Sequence, residues 1–169
     1  MENFDTYEKA MNLFAEVNCV GEQNCIFVGY KDIGKNIYAT GIVAGVAGIF
    51  ASTVADIVMN ELDEKINELN KYSGYLVNQT ENGIGIIPMN GGFNSPKGMN
   101  VFMDKFVFIP NQNIEQIIVK NYSFGNKKLQ LVKIKGSNKF SFQMIAFVKE
   151  KLLPYQEVCF SRFMAKYKK

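Results

Sequence analysis

The hydrophobic pattern changes its period at Ser73-Gly74, and this change constrains the fold more than any other feature of the sequence. Apolar residues before it recur at the spacing of a helix, at Val58, Leu62, Ile66 and Leu69. After it, apolar runs at 75–80 and 83–88 flank Glu81-Asn82-Gly83, whose Asn-Gly dipeptide is typical of β-hairpin turns. The sequence therefore predicts helices followed by an antiparallel sheet.

Strand patterns continue through the second half of the chain. Strands are predicted at 101–109 and 114–120, separated by a turn at 110–113. Pro154 then stands in the first turn of a predicted C-terminal helix over 154–167. The apolar stripe of this helix consists of Tyr155, Val158, Cys159, Phe163, Met164 and Tyr167. We expect the helix to cover one opening or one face of the sheet.

The last predicted hairpin joins 129–135 to 139–145. Its apolar and polar residues alternate, which is typical of strands with one face on the core. The alternation predicts that Phe140 and Phe142 point into the core and that Lys139 is exposed.

An amphipathic helix is predicted within 1–23, ahead of a short strand at 24–30. Asp5 and Glu8 have the spacing of a capping box at its start. We expect the helix to end near Gly21.

Residues 36–55 form a run without charged side chains, inside a predicted Gly/Ala-rich helical insertion over 36–72. Its small residues recur at intervals of four, and we interpret six of them as helix-packing positions: Gly41, Ala44, Gly45, Ala47, Gly48 and Ala51. The insertion is either one helix of about 30 residues or a helical hairpin. Its glycines favour a helix buried in the protein. If exposed, the run would be a homo-oligomer contact or a membrane-embedded helix at 37–55.

The amino-acid composition limits the classes of function that this chain can have. The 169 residues are 47% hydrophobic, which suits a single domain over 1–169. Histidine, the commonest general base and metal ligand, is absent, and three cysteines lack the spacing of a disulfide framework or a zinc site. We therefore expect no catalytic residues, no metal and no cofactor. The first residues are polar and acidic, unlike a secretory signal, which favours the cytoplasm.

The net charge of +3 conceals a strong asymmetry along the chain. Residues 1–68 contain eleven acidic side chains against four lysines, whereas 126–169 contain eleven basic side chains against two acidic ones. A basic end of this kind attracts anionic partners. The candidate residues for contact with an anionic surface are Lys127, Lys128, Lys133, Lys135 and Lys139.

Two runs carry a resemblance to a known family. FIPNQNIEQIIVKNY (108–122) leads a strand out of a proline turn, and NKKLQLVKIKGSNKFSFQ (126–143) is a lysine-bearing hairpin with a glycine turn. Followed by a C-terminal helix, this order resembles the bacterial pleckstrin-homology-like (PH-like) domains over 74–169. The resemblance implies an α+β fold, a curled antiparallel sheet capped by the C-terminal helix, and a binding or scaffold role. The helical insertion departs from that pattern, and 78–82 lack the basic residues of the eukaryotic lipid-binding members.

The sequence thus predicts a non-catalytic binding or scaffold domain whose partner is another protein or an anionic lipid surface, reached by peripheral association with the membrane. A protein anchored by the run at 37–55 and a small enzyme of unrecognised type are the alternatives. Nucleic acid is disfavoured as a partner, because the phenylalanines of the last hairpin alternate to the side opposite Lys139.

Overall fold

The computed structural model describes residues 4–32, 61–91, 98–114, 116–121, 127–132, 141–148 and 153–167. The helices are α1 (Tyr7–Glu16), α2 (Glu61–Leu69) and α3 (Gln156–Tyr167). The first five strands are β1 (Cys25–Lys31), β2 (Gly74–Gln79), β3 (Gly83–Asn90), β4 (Asn100–Val101) and β5 (Val107–Pro110). The last three are β6 (Gln116–Asn121), β7 (Lys127–Val132) and β8 (Ser141–Ala146). Short 3₁₀ turns lie at Met103–Lys105 and Asn111–Asn113.

All eight described strands belong to one open antiparallel sheet. Its strand order is β4-β3-β2-β1-β8-β7-β6, and β5 pairs with β3 beside β4. The predicted α+β class, the antiparallel sheet and the C-terminal helix are therefore confirmed. The sheet separates in the middle, because β1 pairs with β2 from Cys25 to Tyr30 but with β8 only at Tyr30 and Lys31.

Both faces of the central strands β1, β2 and β3 are buried, so the sheet divides two hydrophobic cores. Helix α1 covers one face, where its side chains and those of the sheet form a cluster that includes Leu13, Phe14, Ile26, Val28 and Leu76. Helices α2 and α3 cover the other face, in a cluster that includes Phe27, Ile66, Leu69, Tyr75, Phe160 and Phe163. Because water reaches neither face, these strands are apolar almost throughout.

The strand predicted at 101–109 is wrong as one continuous element. The 3₁₀ turn Met103–Lys105 separates β4 from β5, although both pair with β3. The interruption begins opposite Pro88 of β3, whose carbonyl oxygen accepts a hydrogen bond from the Phe102 N–H at 3.0 Å. Proline has no N–H to donate to a facing strand, so the regular hydrogen-bond ladder with β3 is interrupted at this residue.

The hairpin between β2 and β3 is confirmed, but its turn residues are not Asn82-Gly83. The Thr80 N–H donates to the Gly83 carbonyl oxygen at 2.9 Å. Glu81 and Asn82 therefore occupy the two central positions of the turn, and Gly83 begins β3. A Cβ atom at Gly83 would collide with the Ile109 carbonyl oxygen, so the glycine allows β5 to approach β3 closely.

Helix α1 begins and ends at other residues than the sequence predicts. Its N-cap is Thr6, whose Oγ1 accepts a hydrogen bond from the Lys9 N–H at 3.3 Å, so Asp5 and Glu8 do not form the capping box. The helix stops well before Gly21, because Asn18 adopts the left-handed conformation with φ of 54°. This conformation ends helices by satisfying their last carbonyl groups from beyond the end.

The predicted insertion is described only from Glu61 onward, where α2 confirms a helix. The six helix-packing positions between 41 and 51 lie outside the described residues. Among the helices that the structure describes, none combines the length and apolar character needed to cross a membrane. Phe142 is buried as predicted, whereas Phe140 and Lys139 also lie outside the described residues.

Candidate functional site

The basic half of the sheet consists of β6, β7 and β8. These three strands contain three lysines, Lys120, Lys127 and Lys128, and no acidic residue. The register places Lys128 of β7 directly opposite Lys120 of β6. Lys120 is exposed, and within the described part of the chain no carboxylate forms an ion pair with it. The other three candidate lysines, Lys133, Lys135 and Lys139, lie outside the described residues.

The acidic residues are concentrated elsewhere, on helices α1 and α2. Together these helices carry six acidic residues against two lysines. Three lysines at these helices form ion pairs with neighbouring carboxylates one helical turn away: Lys9 with Asp5, Lys65 with Glu61 and Lys71 with Glu68. The charge asymmetry of the sequence is therefore also a separation between elements, because the acidic residues lie on α1 and α2 and the lysines on β6 and β7.

Helix α3 lies where β1 and β8 separate, and Gln156 holds it there. The buried Gln156 Oε1 accepts a hydrogen bond from the Val28 N–H at 2.8 Å. Its Nε2 donates to the carbonyl oxygens of Val28 and Phe147, each at 3.0 Å. Three residues further along α3, Cys159 forms a hydrogen bond with the Ile26 backbone. Side chains of α3 thus form hydrogen bonds with the backbone groups of β1 where β8 no longer pairs with that strand.

The predicted apolar stripe of α3 is only partly correct. Cys159 and Phe163 are buried, but Val158 is 55% exposed. Phe160, which the stripe omitted, is fully buried and packs on Phe27 with ring centroids 5.0 Å apart. The stripe is broader than one helix face because α3 contributes to both cores.

The three cysteines are free thiols. Burial raises the pKa of all three, and that of Cys19 to about 11. Arg162 and Lys166 lower the pKa of Cys25, but burial outweighs them. Because the thiolate is the reactive form, these groups are weak nucleophiles at neutral pH. Among the described residues, no group of three or more acidic, cysteine or histidine side chains could hold a metal ion.

Glu81 is a structural residue that the sequence analysis missed. Its carboxylate accepts hydrogen bonds from the Glu22 and Gln23 N–H groups, both at 3.1 Å, and so ties the segment before β1 to the β2–β3 turn. No local signal marks it, because its partners lie 58 and 59 residues away. Gln156 was missed for the same reason, since Val28 is 128 residues away.

Glu81→Gln is expected to destabilise the protein at neutral pH and to flatten its response to acid. Hydrogen bonds from its own N–H and from those of Gln23 and Glu22 lower the pKa of the Glu81 carboxyl below its ordinary value of 4.5. A lowered pKa in the folded state adds stability above pH 4.5 that is lost as the pH falls through the folded-state value. Urea unfolding at pH 7 and pH 3 measures this difference.

The matched control is Glu22→Gln, because Glu22 contributes only its backbone N–H to this contact. We expect it to unfold like the wild type at pH 7. An equal loss of stability for Glu81→Gln at both pH values would contradict a role for the charged carboxylate.

The backbone register brings Lys120 and Lys128 to opposed positions on strands without carboxylates. This arrangement can attract an anion, but the described thiols offer no activated nucleophile. Comparisons with models of known protein families, with curated proteins and with solved structures find no match to this chain.

Proposed function

We propose that this chain is a non-catalytic binding domain, built like a PH-like domain, that associates peripherally with anionic membrane surfaces. Its contact residues are the lysines of β6 and β7 together with those between β7 and β8: Lys120, Lys127, Lys128, Lys133, Lys135 and Lys139. The open antiparallel sheet and the single C-terminal helix support the PH-like part of the proposal.

The observation that carries the proposal is the register of Lys120 with Lys128. Like charges directly opposite one another on neighbouring strands destabilise a sheet. No acidic residue of β6, β7 or β8 offsets this repulsion. An anionic surface would offset it, because each lysine near such a surface contributes about 1 kcal/mol.

Vesicle binding tests the proposal with two double variants of equal charge change. Lys120→Glu/Lys128→Glu should weaken binding to phosphatidylserine-containing vesicles at least about 30-fold, since losing two lysine contacts costs about 2 kcal/mol. Lys65→Glu/Lys71→Glu, on and just after acidic α2, should bind within about threefold of the wild type, a difference of under 1 kcal/mol. Binding of the wild type should disappear in about 1 M salt, where charges are screened within about 3 Å.

Three results would overturn this proposal. Equal weakening by both double variants would mean that net charge matters and the lysine pair does not. Absence of wild-type binding at any salt concentration would leave a protein partner as the surviving function. Salt-insensitive binding that is lost in Gly45→Leu would instead favour the membrane-embedded run at 37–55.

A further inference from the structure

Asn-Gly dipeptides stand at both ends of β3, Asn82-Gly83 at its start and Asn90-Gly91 at its end. Asparagine is chemically labile, and a following glycine favours its deamidation because no side chain keeps the glycine nitrogen from the asparagine amide carbon. Both asparagines are exposed, so water reaches both amides. A difference in reactivity between the two sites must therefore come from the contacts that each dipeptide makes in the folded chain.

Ser73 holds both reacting groups of the Asn90-Gly91 dipeptide. Its N–H donates to the Asn90 Oδ1 at 3.0 Å, and its Oγ accepts a hydrogen bond from the Gly91 N–H at 3.1 Å. The first bond fixes the amide in one orientation, and the second keeps the Gly91 nitrogen protonated and turned towards Ser73. This nitrogen has to lose its proton and approach the Asn90 amide carbon before it can react, so both contacts oppose deamidation.

The Asn82 side chain is held less firmly. Its described hydrogen bond runs from Nδ2 to the Glu81 Oε1 at 3.4 Å, longer than the usual range of about 2.7–3.2 Å. The backbone of Asn82 is fixed by Thr80 Oγ1 and by the Asn111 N–H, but neither contact uses the amide carbon. The described hydrogen bonds between Thr80 and Gly83 end on the Gly83 carbonyl oxygen and do not use its nitrogen.

Burial acts in the opposite direction, because Gly83 is buried whereas Gly91 is exposed. A buried nitrogen loses its proton to water less readily. We give the hydrogen bonds more weight, since small local openings are enough to expose a residue beside a hairpin turn. Opening at Gly91 requires in addition that its bond to Ser73 be broken.

We propose that Asn82 deamidates spontaneously in the folded protein and that Ser73 protects Asn90 from the same reaction. The Gly83 nitrogen attacks the Asn82 amide carbon and forms a carbon–nitrogen bond. The bond from that carbon to Nδ2 breaks, and Nδ2 leaves as ammonia with the proton that Gly83 gives up. Water then opens the cyclic imide at either carbonyl group, which gives aspartate or isoaspartate. The net change consumes one water and releases ammonia, without an oxidant or a reductant.

The product changes the surroundings of Glu81. Asn82 Nδ2, which donates to the Glu81 carboxylate, is replaced by a second carboxylate beside it. The Glu81 carboxylate is the group that binds the Glu22 and Gln23 N–H groups. Because like charges at such short distance repel each other, deamidation weakens the contact between the segment before β1 and the β2–β3 turn.

Peptide mapping by mass spectrometry tests the proposal on the full chain, kept folded in mildly alkaline buffer. Asn82 should react at least about tenfold faster than Asn90, a factor that corresponds to about 1.4 kcal/mol of barrier height. In urea, which removes the contacts of both dipeptides, the two sites should react at similar rates. Equal rates in the folded wild type, or an intact Asn82 after the unfolded chain has reacted, would overturn the proposal.

Ser73→Ala tests the protection of Asn90 with Asn82 as an internal reference. The substitution removes the acceptor of the Gly91 N–H but keeps the backbone N–H that donates to Asn90 Oδ1. Circular dichroism checks that the variant is folded. Deamidation of Asn90 should become faster while that of Asn82 stays unchanged. An unchanged rate at Asn90 would contradict the protecting role of Ser73.

Asn82→Asp reproduces the aspartate product and tests its effect on Glu81. At neutral pH it should lower the urea midpoint of the wild type. The loss should be smaller in the Glu81→Gln background, where no carboxylate lies beside the new charge. An equal loss in both backgrounds would overturn the proposed effect on Glu81.

Discussion

Replacing Gln156 with leucine is expected to lower the free energy of unfolding by at least about 3 kcal/mol. The substitution keeps the side-chain volume but removes all three hydrogen bonds, to Val28 N–H, Val28 C=O and Phe147 C=O. Each buried polar group left without a partner costs about 1–3 kcal/mol. The free energy of unfolding of a folded domain is only about 5–15 kcal/mol, so this loss is a large fraction of the total stability. Urea denaturation followed by circular dichroism measures it.

The matched control for this substitution is Gln112→Leu, which makes the same chemical change at an exposed position. It should unfold within about 0.5 kcal/mol of the wild type. If Gln156→Leu were as stable as this control, α3 would be held by its apolar contacts alone. The amide would then have no role in joining α3 to the sheet.

Phe160→Ala is expected to cost about 3–5 kcal/mol, the range for removing a buried aromatic side chain. Phe160 is fully buried, lies 5.0 Å from the Phe27 ring and stacks with Phe163 at 6.0 Å between centroids. The cavity would open between α3 and β1, so both the transfer energy of the ring and its contacts are lost. Thermal unfolding by calorimetry would show a lower Tm with the cooperative transition retained.

Val158→Ala on the same helix separates packing from helix propensity. Val158 is exposed, and alanine is a better helix former than valine, so this variant should be as stable as the wild type or slightly more stable. A loss of stability in Val158→Ala comparable to that in Phe160→Ala would contradict the assignment of Phe160 to the core.

The parts of the fold that the sequence predicted correctly depend on neighbouring residues. The change of period at Ser73-Gly74 and the hairpin that follows it are local, so the end of α2 and the bounds of β2 and β3 were placed within a few residues. The turn of that hairpin was misassigned because a glycine at position 83 could either form the turn or allow another strand to approach closely. Only the approach of β5 shows that it is a contact residue.

The errors concern features set by distant partners. The break between β4 and β5 follows from Pro88, which lies on another strand. The position of α3 follows from β1, and Gln156 has no sequence pattern of its own. The lysine pair became visible only through the register of β6 with β7, because Lys120 ends one predicted strand and Lys128 lies just before the next. The small-residue positions between 41 and 51 stay a prediction, since they lie outside the described residues.

The closure of β1 by α3 also sets the order in which the chain can fold during synthesis. The Val28 N–H and C=O groups at the edge of β1 lack their hydrogen-bond partner until Gln156, which lies 128 residues later in the chain, has been translated. At about 5–20 residues per second, this wait is roughly 6–26 s. Throughout it, the nascent chain carries an apolar strand with an incomplete edge, the kind of segment that aggregates or binds chaperones. Ribosome-bound chains that lack α3 should therefore be the form of this protein that most depends on chaperones.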